Sequence, residues 1–266
     1  MTAIAVTIAG SDSGGGAGIQ ADLKTFSALG VYGASVLTAL TAQNTLGVTA
    51  IADIEPDFIT AQMDAVFSDL KVKAVKIGML SKTGVIEAVA SGLDRYGLKN
   101  TVLDPVMVAT SGDRLIDQSA VSHLQQFLFP RALLITPNLL EAAALTERPV
   151  AQNQNEMLEQ GQMLLAQGAR AVLMKGGHGQ SETCTDLLID AKGFEAFSSP
   201  RIPTRNTHGT GCTLSSAIAA GLAKGLALRE AVQEAKHYLT GALKAADQLQ
   251  IGQGHGPVHH FHAQWT

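Results

Sequence analysis

The sequence predicts an α/β fold in which a mostly parallel central sheet carries helices on both faces. Apolar runs of strand length alternate along the chain with amphipathic segments of helix length. Such alternation is typical of parallel sheets, because two parallel neighbours must be joined by a crossover connection. The composition of 46% hydrophobic and 16% charged residues supplies a large core. We find no repeat or linker, so we expect one domain over residues 1–266.

The first half of the chain supplies four predicted strands and three predicted helices. Gly30 ends the first helix and Pro56 begins the second, which are the positions these residues favour. Apolar residues of strand length, each followed by a polar or glycine turn, indicate the strands. The predicted strands are Ile4–Ala9, Tyr32–Ala42, Ala74–Ile77 and Thr101–Leu103, and the predicted helices are Ile19–Leu29, Asp57–Leu70 and Thr83–Tyr96.

The second half continues the alternation. The pattern predicts helices near Ser119–Phe127 and Asn155–Ala166, a buried helix over Leu214–Leu222 and a last helix over Arg229–Leu249. It predicts strands at Ala132–Ile135 and Ala171–Met174, and an antiparallel hairpin near Thr183–Ile189 and Gly193–Phe197.

The charge and cysteine content exclude several classes of function. A net charge of −4 disfavours nucleic acid or an anionic membrane as the main partner. The two cysteines lack metal-type spacing, so we expect a reducing cytoplasm rather than a disulfide framework. The first ten residues are apolar, lack a basic flank and break at Gly10. They indicate a buried strand and neither a signal peptide nor a membrane span.

Polar side chains follow the predicted strands where those strands end. In parallel sheets, ligands bind outside the carboxyl ends of the strands, so this clustering predicts one active site. The residues concerned are Asp12, Gln43, Asp104, Asn138, Glu141 and Lys175.

The glycine-rich segment after the first strand admits two interpretations. Gly16–Ala21 fits the G-x-G-x-x-A pattern of dinucleotide sites. However, no Asp or Glu lies between Asp22 and Asp53, where a ribose-binding acid is required. We therefore favour glycines that let the backbone approach a small ligand, with Asp22 directed toward it. Alternatively, Asp22 is a carboxylate that the helix dipole stabilises.

The segment Arg205–Thr213 is polar, rich in Gly and Thr, and leads into the predicted buried helix. Backbone N–H groups at a helix start form an anion site, although a plain loop-to-helix connection fits the same pattern. The chain contains no Walker A sequence, so Gly209, Thr210 and Gly211 are the candidate phosphate cradle. Cys212 follows them, and a thiol at a helix N-terminus should have a lowered pKa and act as a base. Otherwise it is a small buried hydrophobe.

Three further polar residues have competing interpretations. Asn138 and Glu141 lie on one face of a helix start, where they could hold hydrated Mg²⁺ or form a capping box. Lys175 precedes Gly176 and Gly177, which suggests a phosphate-binding lysine rather than a solvated one. The histidines of the tail 254–262 could bind a metal, but chain ends are often disordered and we favour no metal there.

Several segments of the chain together resemble the hydroxymethylpyrimidine/phosphomethylpyrimidine kinases of thiamine biosynthesis. The resemblance spans the whole chain, and its motifs are specific to that family. They are Ala9–Asp22, Thr41–Thr45, Lys76–Leu80, Leu103–Met107, Thr136–Ala142, Lys175–His178, Asn206–Thr213 and Gly254–Phe261.

The resemblance implies a three-layer ribokinase-like fold and an ATP- and Mg²⁺-dependent kinase of 4-amino-5-hydroxymethyl-2-methylpyrimidine and then of its monophosphate. We expect a cytoplasmic homodimer without nucleic-acid or membrane partners. The implied substrate site contains Gln43, Gly10, Asp22, Met79 and Val106. The implied anion hole is Gly209, Thr210, Gly211 and Cys212, with Lys175, Gly177 and Asn138 on ATP and Glu141 and Asp104 serving Mg²⁺.

One position departs from the wider ribokinase group, and three alternative functions stay open. Cys212 stands where that group has an aspartate base, as is typical of pyrimidine kinases and some pyridoxal kinases. The nearest alternative is a pyridoxal kinase, since both substrates are small planar rings with a hydroxymethyl arm. A non-catalytic ligand-binding protein and an NAD oxidoreductase are the others, the last disfavoured by the missing ribose-binding acid.

Overall fold

A computed structural model describes residues 2–107, 118–177 and 182–265. The strands in this part of the chain are β1 (Ile4–Ala9), β2 (Tyr32–Leu37), β3 (Ala39–Asn44), β4 (Gly47–Asp53), β5 (Ala74–Ile77), β6 (Thr101–Leu103), β7 (Leu134–Ile135), β8 (Ala171–Met174), β9 (Thr183–Asp190) and β10 (Gly193–Pro200). The helices are α1 (Gly18–Ala28), α2 (Pro56–Asp69), α3 (Thr83–Arg95), α4 (Gln118–His123), α5 (Leu139–Thr146), α6 (Gln154–Ala166), α7 (Thr210–Ala223) and α8 (Leu228–Lys244).

The strands form one large sheet and one small one. The large sheet has the order β10-β9-β8-β7-β6-β5-β1-β2, and β3 pairs with β4 in a separate two-stranded sheet. The six strands from β8 to β2 run parallel, while β9 and β10 form a hairpin at one edge in which β9 is antiparallel to both β8 and β10. This arrangement confirms the predicted α/β class with a mostly parallel sheet and the predicted hairpin.

Two apolar clusters fill the space between the sheet and its helices. One contains buried side chains of α2 to α6, such as Met63 and Ile86. The other contains those of α1, α7 and α8, such as Phe26 and Ile218. Helices therefore cover both faces of the sheet, which gives the predicted three layers. Each central strand is buried on both sides, which explains why the strand sequences are continuously apolar.

The prediction of one strand over Tyr32–Ala42 was wrong. The chain leaves the large sheet at Thr38, whose backbone N–H donates to Ala9 O at 3.1 Å and whose Oγ1 donates to Met79 O at 2.9 Å. Beyond this buried threonine the backbone continues as β3 and turns back as β4, a strand that the sequence pattern did not indicate. Both β2 and β3 are rich in β-branched and small residues, so the composition of the sequence did not mark the break between them at Thr38.

A second difference lies before β7. The helix predicted near Ser119–Phe127 consists of α4 and a π-helical turn, Leu124–Leu128. A 3₁₀ turn, Phe129–Arg131, follows and contains Pro130, which fits its first positions. The strand therefore begins at Leu134 rather than at Ala132.

The histidine-rich tail is packed against the rest of the chain. His208 donates its backbone N–H to Gly256 O at 3.0 Å, and His255 donates its own to Thr45 O at 3.1 Å. The ring of His260 lies 3.1 Å from Thr213 Oγ1, and burial lowers the pKa of His260 to about 3. Among the described residues no His, Cys, Asp and Glu side chains group in a way that could hold a metal ion. These contacts hold the tail against Thr45, His208 and Thr213.

No helix within the described ranges combines the length and the apolar character that crossing a bilayer requires.

Candidate active site

The ends of β6 and β8 bring two opposite charges together. Lys175 Nζ donates to Asp104 Oδ1 at 2.8 Å and lies 3.8 Å from Glu141 Oε2. Asp104 also accepts from Thr136 Oγ1 at 2.9 Å. Three of the residues predicted to form one site are therefore neighbours at the carboxyl edge of the sheet. Such a cluster can hold a phosphate beside its lysine and a cation beside its carboxylates.

Asp104 and Glu141 differ in proton affinity although both are buried. Burial favours the neutral acid at Asp104, but Lys175 and Lys76 hold the pKa of this carboxyl below its usual value. At Glu141 burial dominates, and with Asp104 it raises the pKa to about 7 against the attraction of Lys175. Glu141 is therefore poised to gain or lose a proton near neutrality, whereas Asp104 stays ionised.

Asn138 and Glu141 form a reciprocal capping box at the start of α5. Asn138 Oδ1 accepts the backbone N–H of Glu141 at 2.9 Å, and Glu141 Oε2 accepts that of Asn138 at 2.7 Å. This is the alternative that the sequence left open beside the Mg²⁺ interpretation. The capping and Mg²⁺ interpretations are compatible, because the Glu141 carboxylate caps the helix and also faces the charged cluster at Lys175.

The glycine loop before α7 has the geometry of an anion site. Gly209 caps the helix with φ of 80°, and a β-carbon there would lie 1.9 Å from Gly16 O. The first i→i−4 bond runs from Thr213 N–H to Gly209 O at 2.8 Å, so earlier N–H groups precede the helical ladder. The Thr210 N–H donates to Thr207 O at 3.2 Å, which leaves Gly211 and Cys212 as the principal candidate donors.

The loop Gly209–Cys212, called here the anion loop, lies directly against the charged cluster of Lys175, Asp104 and Glu141. A β-carbon on Gly211 would lie 3.3 Å from Lys175 Nζ and 3.4 Å from Asp104 Oδ2. Ser215, one turn further along α7, donates to Gly211 O at 2.9 Å and approaches Asp104 Oδ2 at 3.5 Å. The lysine and the helix start therefore face the same small volume, as phosphate binding requires.

The expectation of a lowered thiol pKa at Cys212 was wrong. Burial raises the pKa of this thiol to about 11, and the carboxylates of Asp22 and Asp104 add to the rise. Lys76 and the backbone N–H of Gly18 oppose it without reversing it. The helix N-terminus does not decide the pKa here, because burial of the thiol outweighs it and two negative charges lie nearby.

Lys76, to which sequence reasoning gave no role, forms a buried ion pair with Asp22. Lys76 Nζ lies 2.9 Å from Asp22 Oδ2, and both side chains are fully buried. Asp22 also accepts from Thr7 Oγ1 at 2.6 Å and from Ser216 Oγ at 2.6 Å. A lysine within the apolar strand 74–77 was the available signal, since a buried lysine requires a partner.

The same contacts correct the placement of Asp22 in the substrate pocket. Its carboxylate is fully buried, and its partners come from β1, β5 and α7. Although burial disfavours the ammonium form, Asp22 raises the pKa of Lys76 above its usual value. Asp22 therefore lies beneath the site as a support for its elements and does not form a wall of it.

The glycine-rich loop after β1 is organised by Asp12. Asp12 accepts the backbone N–H groups of Gly14, Gly16 and Ala17 at 2.8–2.9 Å. His208 Nε2 lies 2.8 Å from Asp12 Oδ2. Burial opposes ionisation, but His208 and these N–H groups lower the pKa of Asp12. Gly16 of this loop packs on the segment before α7, since a β-carbon there would lie 2.3 Å from His208 Cδ2. The approach of a small ligand to the loop stays a prediction.

The remaining predicted substrate residues are Gly10, Met79, Val106 and Gln43. A β-carbon on Gly10 would lie 2.8 Å from Met79 Cε, so these two residues are in contact. Val106 follows Asp104 and is partly exposed. Gln43 lies on β3 and is held by Ser13, whose Oγ donates to Gln43 O at 2.7 Å. The geometry is compatible with a pocket formed by these four residues, which stays a prediction.

Gly177, predicted to bind ATP, adjoins Lys175. Its carbonyl oxygen accepts from Arg201 Nη1 at 2.8 Å. A β-carbon on Gly177 would meet no atom within 4 Å, so no close contact requires glycine there. Its role toward ATP stays a prediction, and His178 of the same segment lies outside the described residues.

Comparison with protein families gives one match along nearly the whole chain. The model of the phosphomethylpyrimidine kinase family matches residues 12–259. The hydroxymethylpyrimidine/phosphomethylpyrimidine kinase of Rhizobium meliloti is 62% identical, over 100% of this chain and 99% of the relative. The enzyme of the same name from Escherichia coli is 58% identical, over 98% of each chain.

Solved structures give the same fold. A phosphomethylpyrimidine kinase from Clostridium difficile 630 superposes with a TM-score of 0.80 at 45% identity, covering 91% of this chain and 99% of the other. An ADP complex of Bacillus subtilis pyridoxal kinase superposes with a TM-score of 0.92 at 37% identity, covering 100% of both chains. These matches confirm the ribokinase-like fold.

The buried pair predicts a large loss of stability when Lys76 is replaced. We expect Lys76→Met to lower the free energy of unfolding by roughly 3–5 kcal/mol, because Asp22 would remain buried and unpaired. Urea denaturation measures this difference.

The matched control is Lys82→Met, which breaks the Lys82–Asp53 pair. Lys82 Nζ lies 2.7 Å from Asp53 Oδ2, so this pair has the same chemistry as the buried one, but its lysine side chain is 58% exposed. We expect that variant to change stability by less than about 1 kcal/mol. Equal effects of the two substitutions would contradict the structural role of the Lys76–Asp22 pair.

Proposed function

We propose that this chain, which belongs to the phosphomethylpyrimidine kinase family, is an ATP-dependent kinase of thiamine biosynthesis. It phosphorylates 4-amino-5-hydroxymethyl-2-methylpyrimidine and then converts the monophosphate to the diphosphate, within one kinase domain. The observation that carries the proposal is the 62% identity to a kinase of that name over 100% of the chain. The charged cluster and the anion loop supply the parts that phosphoryl transfer needs.

The chemistry depends mainly on positioning and on neutralising charge. The hydroxymethyl oxygen attacks the γ-phosphorus of ATP in line, and Lys175 binds the ATP phosphates together with Asn138 and Gly177. Backbone N–H groups of residues 209–212, chiefly those of Gly211 and Cys212, stabilise the negative charge that develops, each free donor being worth about 3 kcal/mol. This assignment is supported by the contact of Gly211 with Lys175, which directs both groups at one phosphate.

Asp104 and Glu141 are suited to a hydrated Mg²⁺. Mg²⁺ in nucleotide sites keeps several waters and needs only one or two carboxylates besides the phosphates, so a larger cluster is unnecessary. Asp104 is ionised, and the one hydrogen bond that the structure describes to its Oδ2 is a long one of 3.5 Å from Ser215 Oγ. This oxygen is therefore available to a hydrated cation. When bound, Mg²⁺ neutralises phosphate charge. Lys175 bridges the two carboxylates and would move with the phosphates.

We assign the pyrimidine to the pocket beside the glycine-rich loop. Gln43 reads the ring edge through side-chain hydrogen bonds, while Met79 and Val106 form apolar walls and Gly10 allows close approach. Met79 is 7% exposed and contacts Gly10, which supports a narrow slot for a planar ring. Because Ser13 Oγ fixes the backbone of Gln43, the amide is presented by a rigid strand.

A coupled ADP-release assay tests the function. We expect ADP release with the pyrimidine alcohol and with its monophosphate, and a kcat/KM for the alcohol well above that for pyridoxal. Higher kcat/KM for pyridoxal would establish the alternative, a vitamin B6 kinase, which has support from the pyridoxal kinase structures of the same fold. Nucleotide binding without ADP release would indicate a non-catalytic protein.

Cys212 is the proposed base for the first phosphorylation. The substrate alcohol must lose a proton during attack, whereas the phosphate of the monophosphate is already ionised at neutral pH. We therefore expect Cys212→Ala to lower kcat for the first step by at least tenfold more than for the second, within the usual 10²–10⁴ range for such catalysis. Single-substrate assays measure each step, and equal losses in both would refute the base assignment. Cys184→Ser is the matched thiol control.

We also place the enzyme in the cytoplasm as a homodimer. Cys184 and Cys212 are free thiols, which suits a reducing compartment. The outer face of the small sheet carries Leu40 paired with Ala52 and Ala42 paired with Ala50. Leu40 is 45% exposed, and the three alanines of these two pairs are also exposed. An exposed apolar two-stranded face of this kind favours a second copy of the chain as its partner.

Light scattering after gel filtration tests this assembly. We expect the molar mass of a dimer for the unmodified chain and that of a monomer for Leu40→Lys, because a buried charge opposes association. Phe194→Lys is the control, since Phe194 is 50% exposed on β10 in the other sheet. A monomer before any substitution, or a dimer in both variants, would contradict the proposed interface.

A further inference from the structure

The backbone that follows Lys175 is held by a carboxylate outside the predicted site. The N–H of Gly176 donates to Asp186 Oδ1 at 2.9 Å. Asp186 lies on β9, one residue beyond the pairing of Met174 with Leu187, where the strand ladder ends. A charged acceptor shortens and strengthens such a bond relative to a neutral carbonyl. Beyond the end of the strand ladder, the Asp186 side chain therefore provides the hydrogen bond that holds the backbone as the chain turns toward the site.

Asp186 is itself fixed by Lys236 of α8. Lys236 Nζ lies 2.6 Å from Asp186 Oδ2 and also donates to Cys184 O at 3.1 Å. The side chains of Lys236 and Asp186 are only 11% and 8% exposed. The pair thus places one carboxylate oxygen on the ammonium and the other on the Gly176 N–H, so helix α8 supports the turn.

The turn has little freedom in other directions. A β-carbon on Gly176 would lie 2.0 Å from Thr185 O, so the backbone of β9 packs directly on this residue. On the preceding side, Lys175 donates its backbone N–H to Pro137 O at 2.8 Å. The main chain on both sides of the Lys175 Cα is thereby fixed, which leaves only the side chain to follow a ligand.

We propose that Asp186, held by Lys236, is a positioning residue that sets where Lys175 meets the ATP phosphates. The inference rests on the proposed function, because Lys175 is the phosphate-binding lysine there. Neither Asp186 nor Lys236 faces the charged cluster through any contact that the structure describes, so the pair would act on Lys175 through the backbone. Losing the bond to Gly176 would displace the lysine from the phosphates, whereas losing only the charges of the pair would not.

Two double variants separate the hydrogen bond from the charges. In D186N/K236M both charges are removed, but the amide oxygen of the substituted side chain can still accept from Gly176. In D186L/K236M the acceptor is removed as well, and an apolar pair fills the space, which avoids a lone buried charge. D190L is the matched control, because Asp190 on the same strand accepts the backbone N–H of Lys192 at 2.7 Å at the far end of the hairpin.

The readouts are calorimetric binding of AMP-PCP and steady-state kinetics, with thermal unfolding to confirm that each variant is folded. For D186L/K236M we expect the Kd of AMP-PCP and the KM for ATP to rise roughly 10- to 100-fold, the range for a displaced positioning group, with the KM for the pyrimidine unchanged. D186N/K236M and D190L should remain within about threefold of the unmodified chain, since each keeps the Gly176 bond.

A folded D186L/K236M that binds AMP-PCP as tightly as the unmodified chain would overturn the proposal. So would parallel losses in both double variants, which would mean that the charges and not the bond matter. Failure of the proposed function is distinguishable, because it would appear as absent ADP release in the unmodified chain while AMP-PCP binding still responds to the variants. Absence of AMP-PCP binding by the unmodified chain would overturn both proposals.

Discussion

The buried ion pair of Asp22 with Lys76 is the contact on which the arrangement of the site depends. A charge without exposure to water must be paired, and here one carboxylate satisfies an ammonium and two hydroxyl groups. Because the four residues come from α1, β5, β1 and α7, two neighbouring strands and two of the three helices of one layer are fixed to a single point. A pair of this kind contributes geometry more than it contributes net stability.

Helix α7 is attached to both buried carboxylates by two consecutive serines. Ser216 donates to Asp22, and the adjacent Ser215 approaches Asp104, so consecutive side chains tie the helix to both buried carboxylates. The anion loop at the start of α7 is thereby held against Lys175 at the edge of the sheet. On its other side, Asp12 and His208 fasten it to the glycine-rich loop. The anion loop, which is the proposed phosphate cradle, is therefore fixed by polar contacts from outside the loop itself.

The sequence predicted the fold well, because strand–helix alternation is a local property that each segment carries by itself. It also predicted the cluster of Lys175, Asp104 and Glu141, since all three follow strands of one parallel sheet. It could not predict Lys76, Asp12–His208 or Asp186–Lys236, because these pairs join positions that are distant along the chain. The break at Thr38 escaped for the same reason: its hydrogen bonds to Ala9 and Met79 form only in the folded sheet.

The same charges offer a reason for a thiol at position 212, where the wider ribokinase group resembled by this chain has an aspartate. Burial raises the pKa of Cys212, and the carboxylates of Asp22 and Asp104 add to that rise against the opposing charge of Lys76. A third carboxylate would be repelled by both and would cost desolvation as well. A thiol is neutral until it is used and avoids that cost. If Cys212 is the base that we propose, its deprotonation requires the cations and N–H donors that would surround the transferring phosphate, because without them the raised pKa keeps the thiol neutral.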